Sequence, residues 1–156
     1  MPIPRSASNI LRSEGRAVAR EGYRLEDQVG YLMRLANQRH AAIFQAHTLE
    51  GLTAMQFAAL VRIGEQGRVS QNRLGRLAAM DVATIKGVAD RLRQKGLTET
   101  VPDPEDKRRM LISLSPEGEA LLARMTEVGR VVTEKTLAPL NSQEREVFLS
   151  LLRRMT

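Results

Sequence analysis

Three consecutive cations, Lys107, Arg108 and Arg109, lie in the second half of this 156-residue chain. Ammonium and guanidinium groups bind phosphate well, because they donate charge-assisted hydrogen bonds to anionic oxygens. Three acids lie among residues 103–106, so the net charge of the segment is small. Such a run is usually a solvated loop, and its position in the fold must decide whether it binds a polyanion.

The cationic run lies between two segments with the composition of β-strands. Residues 97–101 and 110–114 are rich in β-branched and aliphatic side chains, and residues 102–109 contain the proline and aspartates that are typical of turns. The sequence therefore predicts a β-hairpin with a basic tip. The residues assigned to this tip are Asp106, Lys107, Arg108 and Arg109.

A second group of small and polar residues follows a helical pattern. Over residues 82–95, apolar side chains recur at steps of three and four, namely Ile85, Val88 or Ala89, and Leu92, and predict one buried face. The opposite face carries small, hydrogen-bonding and cationic side chains, which suit close approach to base edges and phosphates. Its members are Val82, Ala83, Thr84, Lys86, Gly87 and Arg91.

Helix-end residues place a shorter helix before this one. Ser70 predicts the start of a helix that carries Leu74 and Leu77. Asp81 is a good N-cap for the next helix, and Gly96 closes it. Two short helices followed by a hairpin predict a helix-turn-helix with a β-hairpin wing, whose second helix enters the major groove of duplex DNA. Three residues at the start of the first helix are also expected to contact DNA: Ser70, Gln71 and Asn72.

Further helices flank this unit. Apolar residues recur at helical spacing over residues 25–47, and a turn at residues 48–52 ends that helix. A capping-box pattern opens the next helix at Thr53, and Ser115 and Asn141 open two closing helices. The predicted fold class is mainly α with a small β-hairpin wing, a winged helix-turn-helix with a helical dimerisation region.

Composition narrows the classes of function. A formal net charge of +6 favours a polyanionic partner, whereas three phenylalanines, two tyrosines and no tryptophan argue against a single-strand binder that stacks bases on aromatic rings. There is no cysteine, no apolar run of membrane-spanning length and no apolar core of a signal peptide. No phosphate-binding glycine loop or nucleophile–base pair is present. We therefore expect a cytoplasmic protein that is not an enzyme, with no cofactor, metal site or membrane partner.

The order of elements and the wing sequence resemble the MarR family of dimeric winged-helix repressors. The most specific part is DPEDKRR at residues 103–109, followed by LISLSPEG, which is similar to the family's acid–x–Arg wing, strand and Thr/Ser-x-x-Gly helix start. LRQKGL, at residues 92–97, matches the usual end of the recognition helix, and the resemblance covers residues from about 25 to the C-terminus. It implies that Arg108 enters the minor groove and that Asp106 orients it.

Two segments of the first long helix, LEDQVG at residues 25–30 and NQRH at residues 37–40, further resemble family members that regulate the breakdown of nicotinate and other aromatic acids. This resemblance implies a small-molecule effector, an aromatic acid such as a nicotinate derivative. Such a ligand needs a cation or hydrogen-bond donors beside an apolar wall. The residues assigned to this site are Tyr31, Arg39 and His40 as donors, and Met55 and Phe57 as apolar wall.

The two histidines leave an alternative open. His40 and His47 lie on the apolar stripe of the first long helix, about 10 Å apart along its axis, so they do not share one metal ion within that helix. Either one of them lines the effector site, or both are ordinary hydrogen-bonded or partly exposed histidines.

The chain is divided accordingly into an N-terminal arm (1–24), a helical dimerisation region (25–52 and 115–156) and a winged helix-turn-helix DNA-binding lobe (53–114). The predicted function is a homodimeric, sequence-specific regulator of transcription, expected to repress. Its two recognition helices would lie about one DNA turn apart on a palindromic operator, and an effector would favour a different spacing of the lobes. The alternative is a helical protein-interaction adaptor that does not bind DNA.

Overall fold

The computed structural model describes residues 22–156, in which six α-helices and one two-stranded hairpin follow one another. The arm predicted at residues 1–24 therefore lies almost entirely outside the described residues. The chain divides after Gln38 into two units. The helices and strands are α1 Val29–His47, α2 Ala54–Gln66, α3 Gln71–Leu77, α4 Val82–Gln94, β1 Thr98–Pro102, β2 Met110–Leu114, α5 Pro116–Leu137 and α6 Ser142–Arg153.

In the first unit, the predicted start of the first helix at residue 25 is wrong. Leu25–Asp27 form a single 3-10 turn, and Gln28 then adopts an extended backbone conformation (φ −85°, ψ 127°). The Gln28 side chain donates to the Arg24 carbonyl at 2.9 Å, which closes this turn separately. The α-helix therefore begins at Val29, because the extended residue interrupts the helical hydrogen-bond ladder.

The predicted caps of the other helices are confirmed, with one exception. Thr53 and Gln56 exchange both hydrogen bonds of a capping box at the start of α2, and Asn141 with Glu144 does the same for α6. Ser70 precedes α3, but its hydroxyl makes no cap hydrogen bond. A cap side chain accepts from a backbone N–H within three residues along the chain. Caps are therefore local features that the sequence can predict.

The wing is an antiparallel hairpin tied to the chain in front of α3. Its register pairs Thr98 with Leu114 and Pro102 with Met110, so β1 begins and ends one residue later than predicted. Val69 and Ile112 exchange backbone hydrogen bonds at 3.0 and 2.8 Å. The hairpin therefore extends directly from the helix-turn-helix core.

The core of the second unit lies between α2, α4, the wing and α5. The predicted inward stripe of α4 is confirmed, since Ile85, Val88, Ala89 and Leu92 are all buried. The largest fully buried side chains are Leu52, Leu60, Ile63, Val69, Leu74, Ile85, Leu92 and Met125. Burial of this set fixes which face of α4 points outward.

The start of α5 is locked onto the start of the wing. The Ser115 hydroxyl accepts from the Gly118 N–H at 3.0 Å and donates to the Gly96 carbonyl at 2.6 Å. The Ser115 N–H donates to the Leu97 carbonyl at 3.1 Å. Gly118 lies so close to Leu97 that a Cβ at position 118 would overlap the Leu97 carbonyl oxygen. Only glycine permits this close approach between α5 and the backbone.

Candidate nucleic-acid interface and effector cleft

The first turn of α4 is fixed by its cap. The Asp81 carboxylate accepts from the Thr84 N–H at 2.7 Å. This backbone hydrogen bond favours the charged form and lowers the pKa of Asp81 below its ordinary value. The stabilisation by the cap is therefore complete above the ordinary aspartate pKa and is lost only as the pH falls through the lowered one. The cap persists at neutral and mildly acidic pH.

The outward face of α4 consists of the residues predicted for it. Val82, Ala83, Lys86 and Arg91 are exposed, and Thr84 and Gly87 are half-buried. Neither Lys86 nor Arg91 forms an ion pair within residues 22–156. These cations are therefore available to an external anion. At the start of α3, Asn72 is exposed and Ser70 and Gln71 are half-buried.

Gly87 lies inside α4 although the fold does not require a glycine there. A Cβ built at this position has no atom of the described chain within 4 Å. Glycine in a helix interior costs about 1 kcal/mol relative to alanine. No contact among the described residues explains that cost, and the open space beside Gly87 would let an external group approach the helix backbone.

The wing tip is held by backbone hydrogen bonds. The Asp106 carboxylate accepts from the Arg108 N–H at 3.0 Å, and the Asp106 carbonyl accepts from the Arg109 N–H at 2.8 Å. Asp106 thus contacts the Arg108 backbone, and its role in orienting Arg108 for the minor groove stays a prediction. Arg109 lies 4.0 Å from the Asp103 carboxylate. Lys107 and Arg108 are exposed and form no ion pair among the described residues.

We expect Arg108→Ala to weaken binding to duplex DNA about tenfold or more without unfolding the protein. Arg108 is exposed at the wing tip, so its removal takes a cation away from DNA and leaves the core intact. The slope of log affinity against log salt should fall by about one unit, as expected when one phosphate is no longer neutralised. Filter binding or fluorescence anisotropy over a salt series measures both quantities.

Arg124→Ala is the matched control for Arg108→Ala. It removes the same charge from α5, where Arg124 pairs with Glu50 at 3.4 Å. The control should retain its affinity and salt slope. Equal reductions in the two variants would mean that Arg108 acts through net charge and that the wing tip does not contact DNA.

A cleft of about 620 Å³ opens between Phe57 on α2 and one face of α5. The Phe57 ring packs near that of Phe44, with centroids 6.2 Å apart, and forms an apolar wall. Arg130 pairs with Glu127, and Glu134 with Arg145. The residues that line the cleft are Phe57, Thr126, Gly129, Arg130, Thr133 and Glu134. It therefore combines an aromatic surface with hydroxyl groups and two side chains of opposite charge, each of which is in an ion pair.

Of the residues predicted for an effector, only Phe57 lines this cleft. Met55 is exposed on α2 and is not part of its lining. Tyr31 belongs to the first unit, where the Arg34 guanidinium lies 5.2 Å from its ring centroid. The polar residues of α5 that line the cleft were not predicted. They recur at steps of three and four between residues 126 and 134, a helical stripe that the sequence does show.

Arg39 and His40 contact the end of α5. The Arg39 guanidinium donates to the carbonyls of Lys135 and Thr136 at 2.8 and 2.5 Å, and so satisfies acceptors in the last turn of a helix. The Nδ1 atom of His40 lies 3.0 Å from the Thr136 hydroxyl. Thr136 follows the cleft residue Thr133 by three positions, so His40 lies about one helical turn beyond the cleft.

His47 bonds through Nδ1 to the Ile43 carbonyl of its own helix at 2.8 Å. Within residues 22–156 there is no group of three or more side chains placed to hold a metal ion. None of the helices in that part of the chain has the length and apolar character needed to span a membrane.

Residues 52–110 match the MarR family. NicR of Pseudomonas putida, an HTH-type transcriptional repressor, is 40% identical over 134 residues, which cover 85% of this chain and 85% of NicR. A probable transcriptional regulator from Pseudomonas aeruginosa is 51% identical, with a TM-score of 0.83 over 85% of this chain and 100% of the other.

A third similarity is to BpsR of Bordetella bronchiseptica, whose DNA binding is regulated by 6-hydroxynicotinic acid. Its structure is 40% identical in sequence, with a TM-score of 0.80, and covers 85% of this chain and 96% of BpsR. The similarities therefore extend well beyond the helix-turn-helix and its wing.

Proposed function

Because the chain belongs to the MarR family, we propose that it is a dimeric repressor of transcription that holds duplex DNA through α4, the start of α3 and the wing, and releases it when a small aromatic acid binds. The observation that carries this proposal is the outward face of α4. It combines small and half-buried polar residues with two exposed cations that form no ion pair within residues 22–156, and the wing tip adds two more.

The DNA contacts divide into two kinds. Side chains in the first turns of α4 are placed to meet base edges in the major groove, because the N-terminal residues of a recognition helix approach them most closely. Lys86, Arg91 and the cations of the wing tip supply charge for phosphates and the minor groove. The Ser70 hydroxyl makes no cap hydrogen bond at the start of α3 and can donate to a phosphate.

The dimer explains the exposed apolar residues of α6. MarR proteins are dimers, and α6 contains no buried residue in the single chain. Its exposed apolar side chains are Val147, Phe148, Leu151 and Leu152, and exposed Met155 follows just beyond its end. We propose that this face packs against a second copy, because contiguous apolar surface of this extent is typical of subunit interfaces. A twofold dimer would present two recognition helices to a palindromic operator.

The effector is proposed to be a small aromatic acid of the nicotinate type. The regulation of BpsR by 6-hydroxynicotinic acid supports this class, and the cleft beside Phe57 offers an aromatic wall with Arg130 and two threonines. His40 would meet the carboxylate at the end of the cleft, since its Nε2 makes no hydrogen bond within the described residues. We do not assign the contact with the carboxylate to Arg39, because its guanidinium already donates to two carbonyls of α5.

The salt dependence of duplex binding distinguishes a DNA-binding repressor from a helical protein-interaction adaptor. Affinity for duplex DNA selected from a random-sequence pool should fall steeply as salt rises, because bound phosphates release counterions. An adaptor would show no saturable binding to any duplex. The relatives are regulators of transcription, which gives no support to an enzyme.

We expect His40→Ala to bind the selected duplex as tightly as the parent and to need at least about tenfold more 6-hydroxynicotinic acid for release. A hydrogen bond to a charged ligand is worth about 1.5–3 kcal/mol. By linkage, the duplex must weaken ligand binding by the same factor by which the ligand weakens the duplex. Displacement of labelled duplex by the acid measures the response.

His47→Ala is the control, since His47 is bonded within its own helix. It should respond to the acid as the parent does. If His40→Ala also responds like the parent, His40 does not contact the acid, although the repressor function would stand.

A further inference from the structure

Val82 is the most exposed large apolar side chain in the described part of the chain, with 70% of its surface accessible. It occupies the first position of α4, outside the buried stripe that includes Ile85 and Leu92. No contact in the core of the fold accounts for a valine there. Burial of an apolar group is favourable, so a contact outside the described residues would gain stability by covering Val82.

The position of Val82 is well defined. The hydrogen bond between Asp81 and Thr84 fixes the turn that contains it. A β-branched side chain in a helix has one strongly preferred χ1 rotamer, so its two methyl groups are held in place with little loss of entropy on binding. Lys86 follows Val82 by four positions and therefore lies on the same side of the helix, without an ion pair within residues 22–156.

The major groove offers one apolar group to such a side chain. Guanine, cytosine and adenine present only hydrogen-bonding atoms there, whereas thymine also presents its C5-methyl group. We infer that Val82 reads the 5-methyl group of one thymine in each half of the operator. This inference rests on the proposed function, because it requires that α4 enters the major groove.

A protein partner is a poorer match for the surface around Val82. A specific protein interface buries about 800 Å² on each side and has an apolar centre. Val82 is instead next to Ala83, Thr84 and Lys86, which are small or polar. One apolar side chain is enough to cover a single thymine methyl group, and the neighbouring Lys86 matches the DNA phosphates beside that thymine.

Replacement of thymine by uracil in the selected duplex tests this inference. The change removes the methyl group and leaves every hydrogen-bonding atom in place. Replacing the contacted thymine in one half-site should lower the affinity about fourfold, as expected from burial of one methyl group. Replacing it in both half-sites should lower the affinity about fifteenfold. Val82→Ala should bind the thymine duplex less tightly and should not distinguish it from the uracil duplex at that position.

Two further variants complete the test. Val82→Thr keeps the shape and replaces one methyl by a hydroxyl, so its thymine-to-uracil ratio should be intermediate. Val131→Ala makes the same truncation as Val82→Ala at an exposed valine of α5 and should keep the full ratio.

The possible outcomes separate the inference from the function on which it rests. If the parent binds no duplex at all, the proposed function fails. If it binds the selected duplex but no uracil weakens it, or if Val82→Ala retains the full thymine preference, Val82 does not read the methyl group. In that case the repressor function stands and this inference is overturned.

Discussion

Leu151→Asp should convert the protein into a monomer and weaken operator binding by about 10²- to 10⁴-fold. Leu151 lies in the exposed apolar face of α6, with half of its surface accessible in the single chain. A carboxylate there would have to be desolvated in the proposed interface, which costs several kcal/mol. A monomer binds only one half-site and loses the gain in affinity that comes from linking two of them.

Sedimentation and operator titration check the Leu151→Asp prediction together. The parent should sediment at twice the mass of the 17.4 kDa chain, and the variant at that mass. Ser150→Asp introduces the same charge at the neighbouring exposed position, which lies on the other side of α6 from Phe148 and Leu152. It should remain dimeric and active. A dimeric Leu151→Asp protein with full affinity would place the interface elsewhere.

Gly118→Ala should lower the free energy of unfolding by about 3 kcal/mol or more, and the melting temperature by roughly 6–12 °C. The added Cβ would overlap the Leu97 carbonyl, and backbone on both sides is held by the hydrogen bonds of Ser115. Relief requires that α5 moves away from the wing, which breaks those bonds. Denaturant or thermal unfolding at one protein concentration measures the destabilisation, since a dimer's stability depends on concentration.

Gly87→Ala is the control for Gly118→Ala. A Cβ at position 87 meets no atom of the described chain, so the same substitution should be neutral or stabilising there. If both variants are stabilised to the same extent, helix propensity and not the contact with Leu97 governs the effect. If Gly118→Ala is as stable as the parent, the close approach of α5 to the wing is not essential to the fold.

Sequence alone predicted those features that depend on neighbours along the chain. The caps at Thr53, Asp81 and Asn141, the buried stripe of α4 and the strand Met110–Leu114 each follow from residues a few positions apart. The outward face of α4 followed as well, because burial of one helical face determines the other. Because these features are local, most of the predicted ends of α3, α4, β1 and β2 lie within one residue of the observed ends.

Features that depend on distant contacts were predicted less well. Arg39 was assigned to a ligand, but it contacts carbonyls nearly a hundred positions along the chain, at the end of α5. The cleft beside Phe57 is lined mainly by α5, and no spacing in the sequence shows that α2 faces those residues. The helical spacing of apolar residues continues through Gln28, but the backbone there is extended and the helix is interrupted. Side-chain periodicity does not reveal a single extended residue.

Gly87 has an evolutionary consequence. If the protein were selected for thermal stability alone, alanine would be favoured at position 87, because the helix would gain about 1 kcal/mol and no atom of the described chain would be displaced. If selection also required operator binding, glycine would be favoured at position 87, provided that the duplex lies against the helix backbone there. A library screened under both regimes would thus test, at this one position, whether folding stability is exchanged for close approach of DNA to α4.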